Sequence, residues 1–404
     1  MQTDKYKIER ARTPKKVAVI GGGIGGMTAA ARVKNKSVLI LDANDRIGKK
    51  LLSTGAGKCN FLNENFDVGK YNDESFVSAT FEKYGFFEIK KFFESLGLLM
   101  RFDEEGRGYP LSESANTVLD AYRRALQKNG VEVKTSALVT KISKQNDVFK
   151  VSCDVDYYGK NVFFATGSNA GFGYDSTGVL SDFANVRKFT PSLAPLSTDT
   201  TYIKGLNGVK VKAKVGLIVN SKVVHEEYGE VLFKSFGLSG IATFNNSAYY
   251  ARLGAPKNAY LSLNFLNENK NETFLILKRL KEFSNDVGEL LSGAFHKMIA
   301  QQILNMAGIQ GSAEATDENL NKLADVVSDF RIKITSVSDK SLAQVMSGGI
   351  DASCVNKNTL EIKGVNNLFV GGEILNIDGL SGGYNIMWAV ASAIKVSDEI
   401  SEKP

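Results

Sequence analysis

The sequence predicts an α/β protein: a doubly wound nucleotide-binding domain split by an insert of different texture. Three observations predict it. KKVAVIGGGIGGMTAAARV, residues 15–33, reads as a β-strand, a glycine turn and a helix. SVLIL, residues 37–41, is a second apolar, β-branched run ending at Asp42, which completes a βαβ unit. The first and last thirds share buried strands and glycine turns, whereas the middle does not.

The chain has 404 residues, enough for two or three domains and a large core. Its 43% hydrophobic and 23% charged residues are ordinary for a soluble protein. No run approaches the roughly 18 apolar residues of a membrane span. The opening MQTDKYKIERARTPKK is charged and lacks an apolar segment, so it reads as a basic lead-in rather than a secretory signal, and a cytoplasmic location is expected. Fifty Lys+Arg against 44 Asp+Glu give +6, spread along the chain without a block of five like charges. That pattern argues against a nucleic-acid tail, and leaves an anionic ligand or RNA open to a diffuse basic surface. Three cysteines, Cys59, Cys153 and Cys354, are too few and scattered for a disulfide framework or zinc site. With only His225 and His296, no His-rich metal centre is expected and a Ser-His-Asp triad is poorly supported. Chemistry without such side chains points to an organic cofactor.

In chain order, Lys16–Ile20 is a buried parallel strand, Ile24–Lys34 an Ala-rich helix and Ser37–Leu41 a second strand. The loop GKKLLSTGAGKCNFLN, residues 48–63, follows. Helices are predicted near Ser75–Gly85 and Phe87–Leu96, with Phe87, Phe92 and Phe93 as core packing, and over Ala115–Asn129, ending at Gly130. VEVKTSALVTKI and VFKVSC read as strands, and YYGKNVFFATGS ends in a buried strand that stops at Gly167. From about Pro191, VKVKAKVGLIV, KVVHEEYGEVLF and AYLSLNFL suggest an antiparallel sheet or small barrel. Asn271–Phe330 reads as helical, and the chain then returns through Ser347–Ile350 to the strand in NLFVGGE, a glycine loop and a last helix. The expected division is a nucleotide-binding domain from residues 1–190 and 346–404, a barrel-like substrate domain from 191–270 and 331–345, and a helical subdomain at 271–330.

The first candidate site is Gly21-x-Gly23-x-x-Gly26. Gly21 permits the tight turn, Gly23 lets backbone approach a pyrophosphate, Gly26 allows close helix–strand packing, and the helix start offers amide donors. Asp42, about 20 residues past Gly21, stands where a carboxylate takes ribose hydroxyls. An acid there disfavours a 2′-phosphate, leaving NAD or FAD.

Small and cationic residues crowd the next loop: Lys49, Lys50, Ser53, Gly55, Gly57, Lys58, Cys59 and Asn60. It could wrap the far half of a dinucleotide or be a flexible surface loop. Cys59 is either a redox thiol, with no partner cysteine nearby, or a small buried residue beside the cofactor. Phe163-Phe164-Ala165-Thr166-Gly167 reads as a strand returning beside the glycine turn. In FVGGEILNIDGLSGGYNIMWAVASA, residues 369–393, Glu373 ends a strand and can accept hydrogen bonds from ribityl or sugar hydroxyls. Gly383 to Asn385 open a helix whose positive end would stabilise charge at the N1/C2=O edge of a reduced flavin. A second helix start beyond the pyrophosphate turn favours FAD over NAD.

VIGGGIGGMTAA, GKKLLSTGAGKCNFLN, FFATGS…STG and GGEILNIDGLSGGYNIMWA together resemble the bacterial YhiN-like FAD flavoproteins, which include aminoacetone-oxidase-like and BaiN-like members. The resemblance covers both nucleotide-binding thirds and fits the split insert. It implies a glutathione-reductase-like FAD-binding Rossmann domain with non-covalent FAD, covered by a β-barrel-like and a helical domain. It also implies that Gly21, Gly23, Ile24, Gly25, Gly26, Asp42, Ala43, Lys50, the Ser53–Asn60 loop, Val139 on a strand at Ala137–Val139, Ala165, Thr166, Gly167, Gly372, Glu373, Gly383, Tyr384, Asn385 and Ile386 line FAD. Lys58 stands where the family usually has Arg, and Asn376 where it usually has Asp.

The leading expectation is an FAD-dependent oxidoreductase passing hydride between a small organic substrate and flavin N5, with O2 or transiently bound NAD(P)H closing the cycle. Lys58, Cys59, Tyr384 and Asn385 are the candidates near the ring, without a named general base. Two alternatives are a flavin-bearing RNA-modifying protein and a non-catalytic FAD scaffold. No second GxGxxG supports a dedicated NAD(P)H domain.

Overall fold

The computed structural model describes residues 15–171 and 173–403; the basic lead-in at 1–14 lies outside them. Two compact units emerge, one from residues 1–189 and 344–404 and one from 190–343.

The first unit is built on a seven-stranded sheet. Its parallel part runs Glu132–Lys134, Val38–Leu41, Lys15–Ile20, Asp156–Phe164 and Leu368–Val370. Four of these strands carry the apolar runs VAVI, VLIL, VFF and LFV, which are buried as expected where both faces of a parallel sheet are covered, whereas the edge strand Glu132–Lys134 is only partly buried. The register aligns Ile20, Leu41, Phe164 and Val370 at one edge, the carboxyl ends of the strands. The first strand lies between the second and the Asp156–Phe164 strand, so the connections diverge there, which is where open α/β sheets bind ligands. Helix Ile24–Arg32 packs against the last helix, Tyr384–Glu402, and Arg32 pairs with Asp398 through two bonds of 3.0 and 3.1 Å.

Two sequence expectations need correction in this unit. Phe87 is 80% exposed, whereas Phe92 and Phe93 are buried. The buried stripe of helix Phe86–Ser95 is Ile89, Phe92 and Phe93, spaced three and four apart, and Phe87 falls off that face. Ala137–Val139 is not a strand: VEVKTSALVTKI breaks into Glu132–Lys134 and Lys141–Gln145. Between them Ser136 turns left-handed (φ 53°), and the amides of Ser136 and Ala137 donate to the carbonyls of Asn44 (2.7 Å) and Asp42 (2.9 Å). The segment is thus held as a loop across the end of the second strand.

The second unit contains a closed six-stranded barrel: Leu196–Thr198, Gly237–Ser239, Lys222–Lys234, Lys210–Val219, Ala259–Asn264 and Phe330–Val337. Helices Lys270–Leu280, Val287–Ser292, Lys297–Ala307 and Asp317–Ser328 fill the stretch read as helical, with Phe330 already in a strand. Barrel residues such as Val215, Phe233 and Leu261 share one apolar core with helix residues such as Leu277, Ile303 and Leu323.

Candidate functional site

The glycine turn joins the first strand to helix Ile24–Arg32. Gly21 adopts φ +101°, and a Cβ on it would stand 2.4 Å from the Ala165 carbonyl oxygen. On Gly26 a Cβ would meet the Gly21 oxygen at 1.8 Å, and on Gly25 the Ala389 oxygen at 3.3 Å. Gly23 differs. Its backbone is ordinary (φ −73°, ψ −175°), and a Cβ there would meet nothing within 4 Å. Nothing in the chain demands glycine at this position; close approach by a ligand would.

Two clefts flank the turn, and both are lined by Gly23, Lys50 and Thr166. One adds Gly21, Asp42, Ala43, Asn44, Ala137, Leu138 and Val139. The other adds Ile24, Gly25, Ala165, Gly167, Gly372, Glu373, Asn385 and Ile386. The shape is that of an elongated ligand bent over a glycine turn. Thr166 Oγ1, buried where the clefts meet, has no hydrogen-bond partner among the described residues. A buried orphan hydroxyl costs stability unless a ligand satisfies it. Glycine at Gly23 and the Thr166 hydroxyl therefore both fit a dinucleotide whose pyrophosphate lies at the turn.

Asp42 is buried and accepts from the amides of Gly22 (2.6 Å) and Asn44 (2.7 Å), which leaves its remaining lone pairs for the cleft. In the second cleft, Lys50 Nζ donates to Glu373 Oε2 (2.8 Å) and Ser168 Oγ (3.3 Å). Glu373 Oε1 accepts from Ser168 Oγ (2.6 Å) and the Met346 amide (3.1 Å). Glu373 is thus tied into a network rather than presented singly.

Helix Tyr384–Glu402 begins at Gly383, in left-handed conformation (φ 96°). Oriented to satisfy its neighbours, the Asn60 amide donates to the carbonyls of Leu62 (3.0 Å) and Gly108 (3.2 Å) and accepts from the Gly383 N–H (3.2 Å). Asn385 clamps Gly379 through both main-chain groups at 2.9 and 2.8 Å. The next first-turn amides, which lack intrahelical partners, start at the cleft wall formed by Asn385 and Ile386. Tyr384 turns away: its hydroxyl donates to the Asn65 carbonyl (3.1 Å), and its ring joins Phe66 and Tyr71.

The Ser53–Asn60 loop is ordered into a short 3-10 turn, Leu51–Gly57, with Gly55 and Ala56 left-handed. Ser53, Gly55 and Lys58 are exposed and Gly57 is partly so. Lys58 pairs with Glu113 at 2.7 Å and lines neither cleft. Cys59 is fully buried, and desolvation pushes its thiol up to about 12, so it stays protonated and inert. Among the described residues no group of three or more His, Cys, Asp or Glu could hold a metal, and no helix is long and apolar enough to cross a membrane.

Ser168 and the Met346 amide were not singled out from sequence. Ser168 ends the quoted ATGS run, and only its meeting with Glu373 gives it weight. Met346 NH is a main-chain group with no sequence signal. Asn44 and Leu138 reach the first cleft because residues 135–140 leave the sheet.

Fold and cleft define an FAD-dependent oxidoreductase with a Rossmann-type FAD-binding domain. The chain belongs to the HI0933-like family, whose profile, described as the HI0933-like protein Rossmann domain, matches residues 15–399. It is similar to a 3-dehydro-bile acid delta(4,6)-reductase of Clostridium scindens, with 28% identity over 96% of this chain and 100% of the relative. It is also similar to a ribosomal RNA dihydrouridine synthase of Haemophilus influenzae, with 24% identity over 95% and 98%. Among solved structures, 3-ketosteroid delta1-dehydrogenase from Sterolibacterium denitrificans shares the fold, with TM-score 0.50 and 11% identity over 96% of this chain and 99% of that one.

Proposed function

We propose that the protein is a reductase that adds hydrogen across a carbon–carbon double bond conjugated to a carbonyl, in a small organic substrate, with NAD(P)H as the hydride source. One observation carries this reading. Two relatives matched nearly end to end have names that describe the same bond change. A 3-dehydro, delta(4,6) steroid holds two C=C bonds conjugated to a ketone. Dihydrouridine is uridine with two hydrogens added across the ring C=C beside a carbonyl. Such a reduction sends hydride to the carbon β to the carbonyl, or to the vinylogous δ carbon of a dienone, and a proton to the carbon beside it in the reduced bond. In the reading proposed here NAD(P)H becomes NAD(P)+.

FAD, when bound, would supply the hydride-transfer chemistry between NAD(P)H and the substrate. The chain's residues do the rest. Gly21 and Gly23 turn the backbone so that amides at the start of helix Ile24–Arg32 meet the pyrophosphate. Asp42 takes ribose hydroxyls, with Ala43 and Val139 beside the adenosine half. Lys50, held by Glu373 and Ser168, places a cation where the two clefts meet. Ala165, Gly167 and Gly372 keep the wall thin, and the helix start at Asn385 and Ile386 directs positive potential at the flavin's N1/C2=O edge. Leu51 and Thr54 bring the loop to the second cleft, with Ser53, Gly55, Gly57 and Asn60 flanking them.

The test is anaerobic. Holoenzyme is reduced with NADPH, then mixed with a 3-oxo-Δ4 steroid while the flavin band is followed and the product weighed by mass spectrometry. Return of the band with a product two hydrogens heavier supports the reading. A band restored by O2 alone, or by uridine-containing ribosomal RNA and no small enone, overturns it.

A further inference from the structure

Beside the cofactor loop, two cations share one carboxylate. Lys58 Nζ lies 2.7 Å from Glu113, and the Arg101 guanidinium pairs with the other oxygen of the same carboxylate. The arrangement leaves one positive charge in excess. Arg101 Nε is buried without a hydrogen-bond partner among the described residues, so the guanidinium's donors are not all used. Glu113 reaches the pair from a left-handed backbone (φ 49°) closing the turn from Pro110. Such a conformation is unfavourable for a residue bearing a Cβ and persists where its surroundings hold it.

The neighbouring surface is apolar. In the hairpin of Met100–Phe102 with Arg107–Pro110, Arg101 opposes Tyr109, and its guanidinium lies 5.6 Å from that ring's centre. One step along, the Leu111 amide donates to the Leu99 carbonyl (2.8 Å), which sets these two side chains on the Arg101–Tyr109 face. They are 72% and 57% exposed. The chain links this face to the second cleft: Lys58 closes the turn that starts beside the cleft-lining Lys50, and Asn60 accepts from the Gly383 amide at the head of the cleft-lining helix.

We propose that Lys58 and Arg101 receive the anionic group of the substrate, a carboxylate on an otherwise apolar molecule, and that Glu113 holds the site until that group displaces it. The proposal rests on the reading above and names the substrate's second feature. An apolar body covers Leu99, Leu111 and Tyr109 while its carboxylate takes a bidentate place on Arg101 with Lys58 alongside. A nucleic-acid backbone fits less well, because Arg107, the next cation on the hairpin, is already bound by Asp103 (2.8 Å) and Glu105.

The experiment is a titration of oxidised holoenzyme with a 3-oxo-Δ4 steroid acid and with its methyl ester, read as perturbation of the flavin band. The acid is expected to bind about 10-fold or more tighter than the ester, a margin that Lys58→Met and Arg101→Met each erode without changing the ester's Kd. Glu113→Gln, which removes the competing charge, tightens the acid alone. Equal binding of acid and ester, no binding of the acid, or a margin intact in both cation variants overturns the proposal. Because binding is read without turnover, a charge-selective complex that never oxidises reduced flavin would fail the reductase reading and leave this site standing.

Discussion

Lys50 and Glu373, 323 positions apart in sequence, meet at 2.8 Å in the cleft wall. The loop after the second strand and the end of the last strand are thereby tied across the place where two clefts join. Side-chain exposures of 31% and 16% make this a partly shielded, charge-assisted bond. Lys50→Met removes the cation and leaves Glu373 with Ser168 and the Met346 amide. Loss of a charged hydrogen bond of about 1.5–3 kcal/mol to the cofactor corresponds to roughly 10- to 150-fold weaker FAD binding. Fluorescence titration of apoprotein with FAD measures it, and an unchanged Kd would remove Lys50 from the cofactor site.

The glycines separate fold from binding. Gly26→Ala places a methyl 1.8 Å from the Gly21 oxygen and is expected to cost about 3 kcal/mol or more in stability. Gly23→Ala meets no atom within 4 Å and suits the observed backbone, so apoprotein should melt where wild type does while FAD binding falls. Melting curves with and without FAD distinguish the two variants. A Gly23→Ala protein that binds FAD normally would place the pyrophosphate elsewhere.

Cys59 should be chemically silent. Burial raises its thiol to about 12, so thiolate is scarce at pH 8. Iodoacetamide is expected to modify Cys59 only after unfolding, and Cys59→Ala to retain turnover at a cost of about 1 kcal/mol in stability. Peptide mapping after alkylation checks the first, and loss of flavin reduction in the alanine variant would restore the redox-thiol alternative.

Lys395 offers a pH signature. It is buried in the last helix and donates to the carbonyls of Ala79 and Lys357, each at 2.8 Å, and desolvation lowers its amine to about 8. The unfolded chain, near 10.5, binds more protons than the folded one between these values. Stability therefore rises with pH from about 8 towards 10, by up to about 3 kcal/mol from this group. Urea midpoints at pH 7 and 9.5 are expected to rise in wild type and to lose that rise in Lys395→Met. A flat wild-type profile would show that the two carbonyls hold the ammonium as well as water does.

Much of the site was legible because its demands are local. Gly21, Gly26 and Asp42 answer to one turn and one strand end, and spacing alone locates them. Glu373 and the helix start at Gly383 were legible as features, but their partners were not: Ser168, Met346 and Asn60 arrive from distant segments. Main-chain donors carry no side-chain signature. Phe87 misled because an aromatic near a helix start was assigned to a stripe it does not share. The strand expected at Ala137–Val139 failed because two backbone bonds to Asn44 and Asp42 outweigh an alternating pattern.

The most direct test of the central claim is the anaerobic visible spectrum of the purified protein before and after NADPH, followed by a conjugated enone. The expected result is a flavin band that bleaches with NADPH and returns on adding the enone, in equal molar amounts. Absence of a flavin band even after reconstitution with FAD would contradict it.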